Sequence, residues 1–274
     1  MVHFAFRTDD EQVLRELAEL GIAVGVPHYK GPPHMACLGS MVGLDAPESP
    51  GLVEWLKRRN VFSYCYTTFT KDEIARARWS TLQSDWHYGY PLPRVDEFGY
   101  LEATYDLTEY CPACGMGLRQ KAPFQIVGEP KWRGRGLLSL NWVFDELFVK
   151  PEVWATIFQP YGVRSRPVLN RRGLELETIV QLAVEESVAL DTTTLVPETC
   201  PRCRRVKYRG VSRGPLPPLV GEPSGHMART AESFGAGGAA ANYFPLVSQS
   251  LARALLAANV KGALLQPVAS HIAQ

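Results

Sequence analysis

The 274 residues are 46% hydrophobic, 21% charged and 10% aromatic, a composition that supplies a large apolar core and excludes a disordered or collagen-like chain. The net charge of +1 argues against a dedicated nucleic-acid or membrane-surface protein. No run approaches about 18 uninterrupted apolar residues, so no membrane-spanning helix is expected. That total hides an imbalance. Residues 1–110 carry 10 Lys and Arg against 16 Asp and Glu, a charge of −6, whereas residues 111–274 carry 19 against 12, a charge of +7.

Met1-Val2-His3-Phe4 shows no basic segment leading into an apolar run, so no signal peptide is expected. Val2, Phe4 and Phe6 alternate as a strand. Thr8 and Glu11 form a capping box, after which Val13, Leu14, Leu17 and Leu20 place an apolar stripe on one helix face. Gly21 stops that helix and residues 22–26 read as a strand, giving a βαβ-like opening. A Gly- and Pro-rich loop spans 27–50, with a short strand near 35–42. A helix over 50–60 turns Leu52, Val53 and Leu56 inward. Residues 61–69, aromatic and β-branched, predict a strand. Thr70 and Glu73 make a second capping box that opens a helix to about Leu82. Residues 84–100 are an aromatic, Pro-broken loop. Trp86, His87, Tyr88 and Tyr90 make it too aromatic for a linker, so it packs against the fold or lines a pocket.

Residues 100–105 and 124–127 read as strands flanking Cys111. Residues 137–144 read as a buried strand. Pro151 opens a short helix carrying Val153, Trp154, Ile157 and Phe158. Leu174 to Val184 alternate with polar residues as a half-exposed strand or two. Residues 226–233 and 243–247 can be strands. Ser248 caps a helix with Leu251, Leu255 and Ala258 on its buried face, Gly262 ends it, and 263–268 returns as a strand. The expected class is α+β: a mixed-sheet core with a four-cysteine zinc ribbon. Residues 1–100 form an amino-terminal α/β region and residues 101–274 a domain tethered by the ribbon.

The strongest chemical signal is Cys111-Pro112-Ala113-Cys114-Gly115 together with Cys200-Pro201-Arg202-Cys203. Each is a C-x-x-C turn able to aim two thiolates at one metal, and 85 residues separate Cys114 from Cys200. Four thiolates describe a closed tetrahedral Zn²⁺ site, structural rather than catalytic, with one ion per chain. Cysteines in such pairs also suit a reducing cytoplasm. Beside the second pair, Arg202, Arg204, Arg205, Lys207, Arg209 and Arg213 form an acid-free basic run. It reads equally as a contact for phosphate or an acidic partner and as compensation for the charge of a metal–thiolate centre. The glycine clusters at 134–136 and 235–238 lack the flanks of a phosphate loop and read as turns. Asp145 and Glu146 could pair as acid and base, but neighbours in a strand point in opposite directions, so solvated surface is the cheaper reading. The six histidines share no catalytic motif, and His87 among its aromatic neighbours is the nearest to one.

These motifs resemble the bacterial double-CXXCG proteins, a group that includes immunity proteins of polymorphic toxin systems. The resemblance rests on the two cysteine pairs, then Phe234-Gly235-x-Gly237, Val247-Ser248-x-Ser250-Leu251, Lys261-Gly262 and Pro267-Val268. It covers roughly residues 105–274, and Arg204 stands where a glycine would follow the second pair. It implies a zinc-binding protein that neutralises a cognate toxin by protein–protein binding, without turnover or a membrane. Two alternatives stay open. One is a nucleic-acid-associated zinc ribbon using residues 202–213 and Tyr208. The other is an enzyme or biosynthetic accessory whose pocket is lined by residues 86–90 and 132–142.

Overall fold

The chain divides after Phe69. A computed structural model describes residues 2–6, 11–22, 41–43, 47, 49–59, 63–94, 98–211 and 213–270. Residues 1–69 with 211–215 form one unit, and residues 70–210 with 216–274 form the other.

In the first unit, strands β1 (Val2–Phe6), β2 (Met41–Gly43) and β3 (Ser63–Thr67) make a sheet of order β2-β1-β3. Phe4 pairs with Val42 on one side and Cys65 on the other, both antiparallel. The expected βαβ-like opening is therefore not what β1 makes among the described residues, and residues 8 and 23–26 lie outside them. Helices α1 (Glu11–Glu19) and α2 (Ser49–Arg59) bury Val13, Leu17, Leu52, Trp55 and Leu56 in one cluster. Their spacing of three and four residues gives each helix a single apolar face. Gly21, at φ 76°, ends α1 as expected. Trp55 Nε1 donates to Glu16 Oε2 at 2.9 Å and Arg59 pairs with the same carboxylate. These contacts, the indole bond foremost, hold Glu16 below the usual carboxylate range.

The second unit opens on the Thr70 capping box, with Thr70 Oγ1 accepting from Glu73 N–H and Glu73 Oε2 accepting from Thr70 N–H. Helix α3 (Lys71–Arg76) stops well short of Leu82. Residues Trp79–Ser84 form β4 instead, where Trp79, Ser80, Thr81 and Leu82 are all buried. Pairing on both edges, with strands 245–248 and 263–267, overrides any helical continuation. This strand also places residues 70–100 with the second unit. Helix α4 (Tyr100–Thr104) occupies a segment expected as a strand and buries Tyr100 and Thr104. It leads into β5 (Tyr105–Asp106), paired with β6 (Arg119–Gln120).

Next come β7 (Gln125–Ile126), β8 (Leu137–Leu140), β9 (Val143–Val149), the short α5 (Pro151–Val153), β10 (Arg164–Asn170) and β11 (Glu175–Ala183). The strands build a five-stranded sheet of order β7-β10-β11-β9-β8, parallel at β7–β10 and otherwise antiparallel. Residues 137–144 are thus a hairpin rather than one strand, turning at Asn141 and Trp142. Then follow β12 (Ser187–Leu190), β13 (Pro197–Thr199), β14 (Val206–Tyr208), β15 (Leu219–Val220), β16 (Met227–Thr230), β17 (Pro245–Ser248), α6 (Gln249–Ala257) and β18 (Ala263–Pro267). The six-stranded sheet runs β15-β12-β16-β17-β4-β18, and β13 and β14 form a separate ribbon. Ser248 caps α6 as expected, and Leu251, Ala252 and Leu255 form its buried face.

The five-stranded sheet is buried on both faces, and alternation decides which residue goes where. Leu137, Leu147, Val149 and Leu182 join Leu82, Val247 and the α6 leucines in one core. Leu138, Phe148, Val168 and Ile179 join Tyr105, Phe124 and Trp132 in the other. The protein is α+β with mixed sheets, and its two distant cysteine pairs come together. Among the described residues no helix is long and apolar enough to cross a membrane.

Candidate metal centre and adjoining cavity

The sulfurs of Cys111, Cys114, Cys200 and Cys203 all lie within 4.8 Å of one another. Cys111 Sγ is 3.9 Å from Cys200 Sγ, and Cys114 Sγ is 3.7 Å from Cys203 Sγ. A disulfide needs about 2 Å, so these are free thiols. A tetrahedron with metal–sulfur bonds of about 2.3 Å has edges of about 3.8 Å, so the four could hold one metal ion.

Backbone hydrogen bonds shape each turn. Cys111 N–H donates to Met116 O and Gly115 N–H to Cys111 O, while Cys200 N–H donates to Arg205 O and Arg204 N–H to Cys200 O. The residue after each pair is left-handed: Gly115 at φ 83° and Arg204 at φ 63°. A side chain is tolerated only in the second turn. A Cβ on Gly115 would stand 1.9 Å from Ala239 O, whereas Arg204 is exposed. Relief of left-handed strain, worth about 1–2 kcal/mol, is offset in part by a freer unfolded chain. Arg204→Gly is therefore expected to stabilise by about 0.5–1 kcal/mol, raising the melting temperature by roughly 2 °C.

The thiols differ in environment. Burial pushes Cys114 up to about 12. The Arg205 guanidinium, with Nε 3.4 Å from the sulfur, draws Cys203 down to about 6. The N–H of Cys203 chiefly lowers Cys200. Arg205 also donates to Glu109 O at 2.7 Å, tying the second turn to the approach of the first.

The basic run does not act as one patch. Arg202, Arg204 and Arg209 are exposed, but Lys207 is 1% exposed. Its Nζ donates to the carbonyls of Gly237, Gly238 and Ala240 at 2.8–3.1 Å. Lys207 and Arg205 thus do structural work, the second serving the charge-compensation reading directly.

The aromatic loop packs. His87 Nδ1 lies 2.7 Å from Ser139 Oγ and its ring sits edge-on to Phe144. Burial lowers its pKa. Trp86 and Tyr88 flank the core that holds Trp132, and Tyr90 packs on Trp142 with ring centroids 4.5 Å apart. None of the four loop residues lines the cavity next door.

That cavity, of about 960 Å³, lies within the second unit. The cysteine turn supplies one wall through Pro112, Gly115 and Met116, and residues 239–243 another. Tyr100, Trp142 and Phe144 supply aromatic surface, and Asp145 and Glu146 both face in. Sequence reasoning set that pair aside as surface because strand neighbours diverge. The divergence fails at a bulge. Leu138 pairs with Phe148 but Leu140 pairs with Val143, so four residues of β9 span one of β8, and a bulge of this kind re-aims side chains.

Asp145 Oδ2 accepts from Tyr243 N–H at 3.3 Å and Glu146 Oε2 accepts from Gln181 Nε2 at 2.7 Å. Both groups touch the cavity, yet protein surrounds them. Burial raises both, with the Asp145 charge adding to the effect on Glu146, which reaches about 7. Gln181, Arg229 and Arg166 oppose that rise in Glu146, and Tyr105 faces the pair with its phenol raised chiefly by burial. A carboxyl raised on folding stabilises fully below its unfolded value near 4.5, and that contribution is lost as pH rises through about 7. Glu146→Gln keeps an acceptor for Gln181 and removes the charge. It should melt roughly 4 °C above wild type near pH 8, on a gain of about 1–2 kcal/mol, with no advantage near pH 4. An increment independent of pH would refute the assignment.

Together these features define an α+β protein with a four-cysteine centre able to hold a metal. No protein-family model matches the chain, and no curated protein matches it.

Proposed function

We propose that Cys111, Cys114, Cys200 and Cys203 hold one structural Zn²⁺ and that the protein works by binding a partner protein. The observation that carries the metal reading is the sulfur spacing, which suits an all-thiolate tetrahedral site, the arrangement zinc favours. Four thiolates leave no open position for water or substrate, so the ion holds the turns together and function lies on the surrounding surface.

The β13–β14 ribbon supports a partner surface. Val196 and Val206 are 55% and 40% exposed, beside the exposed Arg202, Arg204 and Arg209. Apolar anchors with cations around them suit an acidic protein face, and charge complementarity sets register and association rate. The exposed Arg202, Arg204 and Arg209 suit that better than a phosphate backbone, where affinity grows with each phosphate neutralised. The resemblance to double-CXXCG proteins makes a cognate toxin the class of partner, occluded by shape and charge.

The test is co-expression with the product of the neighbouring open reading frame, followed by size-exclusion and titration of the purified pair. A complex is expected, and the triple change Arg202→Glu, Arg204→Glu and Arg209→Glu should weaken it by about 100-fold at low salt. An unchanged affinity would overturn this surface, and the absence of a complex would overturn the partner.

A further inference from the structure

We propose that the cavity beside the cysteine centre is a binding site for a small organic cation, an amine or amidine carried on a flat apolar frame. The proposal is independent of the partner surface on the ribbon.

Size comes first. At about 960 Å³ the cavity falls within the range of sites for drug-sized ligands, far larger than a packing defect. Its walls combine Tyr100, Trp142, Phe144 and Met116 with a few convergent polar groups, the make-up of a small-molecule site.

Charge selects the ligand. Asp145 accepts from Tyr243 N–H and Glu146 from Gln181 Nε2, both neutral donors. A carboxylate offers about four acceptor positions, so most remain for a ligand. Among the described residues no Lys or Arg nitrogen lies within 4.0 Å of either. Of the three arginines on the wall, Arg119 is exposed and the other two have partners elsewhere. Arg166 donates to Gln120 Oε1 and pairs with Glu185, and Arg229 lies 4.8 Å over the Tyr243 ring. The nearest arginines act on the pair only at a distance, so a ligand cation supplies the direct ionic contact it lacks, a neutral ligand leaves it without one, and the two carboxylates repel an anion.

The aromatic wall favours the same charge. Indole and phenol faces are negative and attract cations, and Trp142 already takes part in such a contact. The Arg94 guanidinium sits 4.4 Å from the Tyr90 ring centre and 5.9 Å from that of Trp142. Trp142 itself is left-handed at φ 70°, an uncommon state for a bulky residue. Its neighbour Asn141 anchors the turn, with N–H and Nδ2 both donating to Gly89 O. Tyr100, Tyr90 and Phe98 rings surround the indole, so the wall is rigid before any ligand arrives.

The test is titration calorimetry on the full metal-loaded chain near pH 8. The probes are tryptamine and benzamidine, each against its neutral isostere, tryptophol and benzamide, with indole-3-acetate as the anion. The cations are expected to bind at least about tenfold more tightly than the isosteres, and the anion not at all. The double variant Asp145→Asn, Glu146→Gln should lose that preference while keeping the wild-type metal content and far-ultraviolet spectrum. Trp142→Leu, which keeps the carboxylates, should weaken the cations about tenfold and so reports separately on the wall. Equal affinity for cation and isostere, unchanged cation binding in the double variant, or no binding of either cation would each overturn the proposal.

Discussion

Cys111→Ser is expected to abolish metal binding and to lower the melting temperature of the second unit by roughly 10–15 °C. The magnitude follows from what a metal held by the four cysteines would join. Cys111 and Cys200 are 89 positions apart, both are 4% exposed, and a cross-link closing a loop of that size removes about 4–5 kcal/mol of chain entropy from the unfolded state. The ligation free energy is itself folding free energy, because no preformed site exists in the unfolded chain. Serine leaves three thiolates at a site shaped for four. It also loosens Gly115, whose backbone fits under Ala239 only for lack of a Cβ, so one wall of the cavity should slacken with it. The checks are zinc per chain by mass spectrometry and thermal unfolding with and without chelator. Chelated wild type and the variant should melt alike. A variant that keeps its zinc, or loses it and melts as wild type does, would refute the structural role.

How legible was this centre, and why was the cavity not? The cysteine pairs are short motifs whose chemistry is local: a C-x-x-C turn fixes two ligands whatever surrounds it, so only the pairing of distant turns needed the structure. The two N-caps, Thr70 and Ser248, were legible for the same reason, since a cap is settled within four residues. The cavity has no such local code. Its lining runs from Phe98 to Tyr243 and depends on how two sheets and a cysteine turn meet. Asp145 and Glu146 were misjudged because the alternation rule assumes a regular ladder, and the β8–β9 bulge breaks the register there. Residues 79–82 and 100–104 exchanged the expected helix and strand. Double-sided pairing settled the first and the burial of Tyr100 beside Tyr105 the second. At six residues or fewer, tertiary contacts outweigh intrinsic preference.

Lys207 shows the same failure at one residue, and its replacement should be costly. Along β14, Val206 is exposed and Lys207 is buried, the reverse of what polarity predicts. The inversion has a cause in the glycine segment, where Gly237 and Gly238 are both left-handed, at φ 62° and 49°. Their carbonyls and that of Ala240 converge on Nζ. An ammonium, with three donors and no acceptor, satisfies all three. Methionine matches the length of the stem but leaves the three carbonyls without that partner, at a cost of about 1–3 kcal/mol for each group that stays dry. Water can reach some of them once the segment loosens. Lys207→Met is therefore expected to lose about 3 kcal/mol, roughly 6–12 °C in melting temperature. Metal content should be unchanged, and proteolysis should appear within residues 235–241. The ion pair with Glu198, at 3.7 Å and 36% exposed on the acid side, contributes less than about 1 kcal/mol, so Glu198→Gln should be nearly silent. If Lys207→Met melts with wild type, or Glu198→Gln falls as far as Lys207→Met, the carbonyl cradle is not what holds this segment. The expected result instead separates Lys207, which shapes the cavity wall from inside, from Arg202, Arg204 and Arg209, which face outward to a partner.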